Sequence, residues 1–314
     1  MNTTAQNIYS VNNEEENTMT TDNIEVLKHA QKLQNNAYGF KLNVSVWTAV
    51  KKEKDAGEDL AARNNADKEA VDIKKRILAG NPLHKAIISC AAAARNWNHQ
   101  TSLPWTDDGD RVISNAKILE HKEQVEAQRS EFYQLVDEFI ADYPDAINRS
   151  AFSLGTMFDR NNYPPVDEVR AKFKFEYVYH PLPDAGDIRI DAANEGMREI
   201  IEHTKHVFEQ RSQNAMKEAW TRMREKLEHL RDKVTDGEED SKKKRLHATL
   251  LVNIEDTVNI LRGLNLTNDP ELDKAGDEVM ALVRRLDLDD LKKDVDARQD
   301  TQRKVDEILA KFDW

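Results

Sequence analysis

From Ala192 to Thr235 the chain runs without a proline and with one glycine, Gly196. Proline removes a helical hydrogen bond and glycine adds to the entropy lost on helix formation. A stretch this free of both predicts one continuous helix of up to ~60 Å at ~1.5 Å per residue. Its apolar positions include Ile200, Val207, Met216, Trp220, Met223, Leu227 and Leu230. Asp236-Gly237-Glu238-Glu239-Asp240 reads as a turn, and Ser241 to Gly263 as a second helix running back along the first, an antiparallel helical hairpin. Asn268-Asp269-Pro270-Glu271 predicts the cap of a helix to Leu286, and a final helix covers Leu288–Phe312.

The rest of the chain is similarly poor in helix breakers, with 10 Gly and 8 Pro in 314 residues. Charged residues make up 33% and apolar ones 39%. That balance favours elongated helices with much solvated surface and disfavours a tight-turned all-β fold. Residues 1–23 are polar, carry Glu14-Glu15-Glu16 and read as a disordered tail, with Met19 an alternative start to Met1. A short helix is expected over Ile24–Asn36, capped by Asn23 and ended by Gly39. A half-buried strand follows at Lys41–Trp47, where Leu42, Val44 and Val46 alternate with polar residues. Helices are expected at 57–64, 67–79 and 82–98, then a turn-rich loop over Leu103–Asp110.

A long helix over Ser114–Tyr143 carries Ile118, Val125, Phe132, Val136 and Phe139 on one face. Pro144 interrupts it, a shorter helix resumes to Phe152, and Tyr163-Pro164-Pro165 forms a corner before a helix through Val169. Between Lys172 and Ile190, Phe173, Phe175, Tyr177 and Tyr179 recur at period two, which predicts a strand with four rings on one face. Pro181–Gly186, a six-residue connection, turns the chain into a returning strand over Asp187–Ile190. The expected fold is mainly α, with long antiparallel helices in a hairpin or bundle and a small two- to three-stranded antiparallel sheet. The expected regions are a tail (1–23), a helical part holding the sheet (24–191) and a helical hairpin with C-terminal helices (192–314).

A net charge of −12 argues against a general phosphate-binding surface and against attraction to an anionic membrane. No segment approaches the ~20 apolar residues that span a bilayer, and the N-terminus lacks a basic-then-apolar signal, so a cytoplasmic location is expected. Cys90 is the single cysteine, which excludes an internal disulfide and a multi-Cys zinc site. Its run, Ile87-Ile88-Ser89-Cys90-Ala91, reads as core rather than as a catalytic thiol beside His84 or His99.

Three clusters carry candidate chemistry. Asp107, Asp108 and Asp110 crowd one turn, where paired carboxylates can hold a divalent cation or act as acid and base, although aspartates are also ordinary turn formers. His203 and His206 are three apart on the long helix among Glu199, Glu202 and Glu209, a spacing that brings ligands to one helix face. No second Glu-x-x-His helix accompanies them, so a solvated face is the simpler reading. Lys242-Lys243-Lys244-Arg245 is the strongest basic run, suited to phosphate or to compensating the acidic turn before it. The aromatic strand is a candidate platform for unpaired bases or a core face. No phosphate-cradling loop, dinucleotide fingerprint or nucleophile elbow is present, and no cofactor is expected.

Several segments in order resemble a family of unknown function found in bacteriophage and prophage genomes. They are Leu42–Thr48, Leu103-Pro104-Trp105-Thr106-Asp107-Asp108-Gly109, Phe139–Pro144, Leu154-Gly155-Thr156-Met157-Phe158, Pro183–Ile190 and Leu264–Glu271. The resemblance covers roughly Phe40 to Leu286. Genes of that family often lie near an AAA+ ATPase of the MoxR or cobaltochelatase-like type. The resemblance implies a phage-type origin and an ATPase partner, and carries no catalytic residues. The expected function is therefore non-enzymatic, through protein contacts with an ATPase, a host factor or further copies of the chain. The alternatives are a nucleic-acid-associated protein and a metal-dependent enzyme.

Overall fold

The computed structural model describes residues 37–182, 195–235, 248–265 and 267–312. The tail of 1–23, the helix expected over Ile24–Asn36, the returning strand Asp187–Ile190, the acidic turn 236–240 and the basic run Lys242–Arg245 lie outside the described residues. The described chain is mainly helical with two small antiparallel sheets. In order it forms β1 (Ala37–Ser45), β2 (Val50–Lys52), α1 (Lys54–Arg63), β3 (Lys74–Arg76), α2 (Pro82–Thr101), β4 (Leu103–Pro104), β5 (Asp110–Ser114), α3 (Ile118–Leu154), α4 (Val166–Arg170) and β6 (Lys174–His180). Then come α5 (Glu195–Val234), α6 (Ala248–Gly263), α7 (Pro270–Val283), α8 (Leu288–Lys293) and α9 (Val295–Lys311). Among the described residues no helix is long and apolar enough to cross a membrane.

One sheet has the order β4-β5-β1-β6; the other is the pair β2-β3. The first differs from expectation because the Leu103–Asp110 loop is a hairpin. Leu103 and Pro104 pair with Val112 and Arg111, and β5 continues onto β1 from Ala37↔Ser114 to Lys41↔Asp110. The turn closes with the N–H groups of Trp105 and Thr106 both donating to the Asp110 carbonyl (2.9 and 3.1 Å), and Gly109 supplies a φ of 97°. Gly39, expected to end a helix, sits inside β1. The expected strand ends at Ser45, so Val46 and Trp47 lie beyond it.

The chain divides into two compact units: residues 42–98 with 120–177, and residues 37–41, 99–119 and those described from 178 onward. In the 42–98/120–177 unit the core is aromatic. α3 buries Val125, Phe132, Val136 and Phe139 as its periodicity predicts. Phe173 packs edge-on against Phe139 with centroids 5.7 Å apart, and Phe175 tilts against Phe132 at 5.6 Å. The Tyr177 hydroxyl donates to Glu126 on the same helix. The period-two face therefore folds onto α3 and is core at its first two rings.

Pro144 does not interrupt α3, which runs unbroken to Leu154. Its ring leaves one carbonyl a turn earlier without a donor, at a cost of ~3 kcal/mol. The burial of Phe139 and Tyr143 before it and of Ala146 and Ile147 after it, each side chain worth about 1–3 kcal/mol, outweighs that. The helix expected over Asp67–Ala79 is instead a 3-10 turn, whose cap Asp67 accepts the Glu69 N–H, followed by β3. Backbone bonds from Glu53 N–H to the Ile73 carbonyl (2.8 Å) and from Ile77 N–H to the Ala49 carbonyl (2.9 Å) tie that segment to β2, an alternative no local periodicity encodes.

In the other unit, α5 buries Phe208, Ala215, Met216, Ala219, Met223, Leu227, Leu230 and Val234, at steps of three and four. They join Ile254, Val258 and Leu261 of α6, Leu272, Val279 and Val283 of α7, and Val305 and Ile308 of α9 in one apolar cluster. Ile200, expected on the buried face, is about half exposed at 51%. α6 and α7 approach closely at Gly276, where a Cβ would stand 2.8 Å from Arg262 Nε and 3.3 Å from Val258. Asp269 caps α7 by accepting the Glu271 N–H, and its other oxygen accepts from Trp220 Nε1 at 3.1 Å, so one carboxylate starts α7 and ties it to α5. The expected final helix is split at Asp294. This residue is extended (φ −106°, ψ 121°), ends α8, and caps α9 through its side chain.

Candidate functional site

Asp107, Asp108 and Asp110 all stand in the β4–β5 turn, but the cation beside them is a protein side chain. Lys41 Nζ lies 2.8 Å from Asp108 and 3.8 Å from Asp110. The Thr106 hydroxyl donates to the other Asp108 oxygen, and the Asp110 N–H donates back to Thr106 Oγ1 at 3.2 Å. His180 Nε2 approaches Asp110 at 3.6 Å from β6. Hydrogen bonds from Lys41 and then Thr106 hold the Asp108 carboxyl down to about 2. The register Lys41↔Asp110 explains the placement, since directly paired residues on neighbouring strands face one another. One ammonium thus engages two of the three carboxylates of the turn, and Asp107 is exposed.

His203 and His206 are exposed on α5, as are Glu202 and Glu209. Among the described residues, no group of three or more His, Cys, Asp or Glu is placed to hold a metal ion. Cys90 is half-buried rather than core, and burial followed by the charge of Glu131 pushes its thiol up, away from a reactive thiolate. His84 is buried, with its Nε2 donating to the Trp47 carbonyl at 2.7 Å; burial pulls its pKa down, so it packs as a neutral ring between Trp47 and Phe139. Beside it, a groove of about 550 Å³ is lined by Asn81, Asp142, Arg149, Ser150 and Ser153. Asp142 accepts from Asn81 Nδ2 at 3.3 Å and from Arg149, which closes the charge balance of that groove internally.

No local sequence pattern marks the polar constellation around the Ser102 carbonyl. Arg111 of β5 donates from Nε to Ser102 Oγ (2.6 Å) and from Nη2 to the carbonyls of Ser102 (2.9 Å) and His99 (3.3 Å). Arg222 of α5 donates to the same Ser102 carbonyl (2.9 Å), reaches His99 Nδ1 (3.5 Å), and pairs through Nε with Glu218 at 2.9 Å. Burial, then the Arg222 charge, lowers the Arg111 pKa to about 10, and burial with both guanidiniums lowers that of His99. Carbonyls at a helix end carry negative partial charge and lack intrahelical donors. The two arginines satisfy them, which makes this node an anchor for the segment after α2. Arg111 and Arg222 are 111 residues apart, and no local pattern could have paired them.

Compared with family models, curated proteins and solved structures, the chain matches none.

Proposed function

We propose that this chain works through protein–protein contacts, as a phage-type protein of the family its ordered motifs resemble. Its partner would be an AAA+ ATPase, a host factor or further copies of itself, in the cytoplasm of the host cell. In this reading α5 and α6 are the arms of a helical hairpin that presents an extended contact surface. The observation that carries the reading is Phe152. It lies in the last turn of α3, is 90% exposed, and is followed within a few residues by exposed Met157. Buried aromatic anchors dominate the energetics of protein interfaces, and a phenylalanine left in water on a formed helix is a ready anchor. Of the charged groups singled out in the sequence, Asp108 and Asp110 are engaged by Lys41, and His203 and His206 face solvent. The test is co-purification from the native host during infection, with and without nuclease, for a stoichiometric protein partner.

A further inference from the structure

Pairing β2 with β3 sets Val50 opposite Arg76, Lys51 opposite Lys75 and Lys52 opposite Lys74. Five of the six residues in this ribbon are cations, drawn from two segments more than twenty positions apart. Like charges directly opposed across strands weaken a pairing, and a two-stranded ribbon has little stability to spare. Part of the repulsion is relieved locally. Asp72 bridges Lys52 (3.0 Å) and Lys74 (3.4 Å), and Glu53 pairs with Lys75 (2.6 Å), whose ammonium also donates to the Met157 carbonyl at 2.7 Å. Lys51 and Arg76 are exposed and have no carboxylate partner among the described residues. The ribbon thus keeps a positive surface in a chain whose net charge is −12.

We propose that the β2–β3 ribbon is a contact surface for the phosphate backbone of nucleic acid. Alternation along the strands puts Lys52, Lys74 and Arg76 on one face and Lys51 with Lys75 on the other. On the first face Lys74 and Arg76 stand ~6.6 Å apart and Lys52 lies ~4.8 Å across from Lys74, with Asp72 offsetting one of the three charges. Lysine is depleted at protein–protein interfaces, whose centres are apolar, and the ribbon offers only the half-buried Val50 as apolar surface, so an acidic protein fits it less well. Its lysines and arginine supply charge to phosphate, the sequence-independent part of nucleic-acid binding. The acidic remainder of the chain does not forbid it, because charges farther away than ~8 Å are largely screened at physiological salt.

The experiment measures binding of the full chain to a short fluorescent DNA duplex by anisotropy, from about 50 to 200 mM salt. Wild type is expected to bind at the low end and to weaken steeply with salt. The double variant Lys51→Ala/Arg76→Ala is expected to bind more weakly and to lower the slope of log K against log salt by about 1, because of the two only Arg76 shares the face of Lys52 and Lys74. If alanine disturbs the ribbon by circular dichroism, Lys51→Thr/Arg76→Thr keeps strand-favouring side chains and carries the same expectation. The proposal is overturned by no binding at about 50 mM salt, by wild-type affinity and slope in the variants, or by poly-glutamate competing as well as unlabelled duplex. This outcome is independent of whether a protein partner docks at Phe152.

Discussion

The guanidiniums of Arg111 and Arg222 both donate to the carbonyl oxygen of Ser102, each at 2.9 Å. Two cations share one acceptor because the Ser102 and His99 carbonyls and the Glu218 carboxylate supply the compensating negative charge. Arg222 is nearly buried, so Arg222→Leu is expected to destabilise the fold by about 2–4 kcal/mol, leaving Glu218 without its cation and the carbonyl short of a donor. Arg222→Lys should recover only part of this, since one ammonium cannot match the forked geometry that reaches Glu218, Ser102 and His99 together. Urea unfolding measures both; a midpoint unchanged in Arg222→Leu would remove the node from the stability account.

Gly39 leaves the space that the His180 ring occupies. A Cβ there would overlap the imidazole of His180, the ring that approaches Asp110. Gly39→Val is therefore expected to displace His180 and cost about 1–3 kcal/mol despite the strand preference of valine. Nuclear magnetic resonance of the His180 ring would register the displacement, and a variant as stable as wild type with an unmoved ring would contradict it.

Burial pulls the pKa of His121, stacked on Trp97 at 4.5 Å, down to about 4. The folded ring stays neutral at pH values where the unfolded chain, with a His pKa near 6.5, takes up a proton. Its contribution is thus full above about pH 6.5 and is lost as pH falls toward 4, at up to ~1.4 kcal/mol per pH unit. His84 is shifted the same way by burial and adds to the trend. His121→Phe, which keeps a ring against Trp97, is expected to flatten urea-unfolding stability measured from pH 7 to 5. An unaltered pH dependence in that variant would place the sensitivity elsewhere.

Lys41 determines the chemistry of the aspartate turn. Lys41→Ala is expected to let the Asp108 pKa climb back from about 2 toward the usual carboxylate range, as read by a proton-resonance titration. Elemental analysis of the purified wild-type protein is expected to show no stoichiometric metal. Metal present at one equivalent and lost in Asp108→Asn would instead assign the turn as a cation site.

The helices were largely legible because their apolar spacing is local. Val125, Phe132, Val136 and Phe139 mark one face of α3, and Met223, Leu227 and Leu230 mark that of α5. The β elements were less so. β3 reads Lys-Lys-Arg, with no apolar alternation, and is a strand only because distant β2 pairs with it. β5 did carry a signal, since Asp108-Gly109 followed by Val112 and Ile113 is a hairpin pattern. The clustered aspartates of that turn fit a cation site as well as a hairpin turn. The Arg111–Arg222 node and the basic ribbon depend on long-range contacts, which single-residue properties do not encode.

The most direct test of the contact account compares tagged wild type with Phe152→Glu, expressed in the native host during infection and purified after nuclease treatment. Phe152 is already in water, so the substitution should leave folding within about 0.5 kcal/mol. The account predicts a stoichiometric protein partner, or a defined self-assembly, that survives nuclease with wild type and is lost with Phe152→Glu. Partners that vanish with nuclease, or that remain undiminished in the variant, would contradict it.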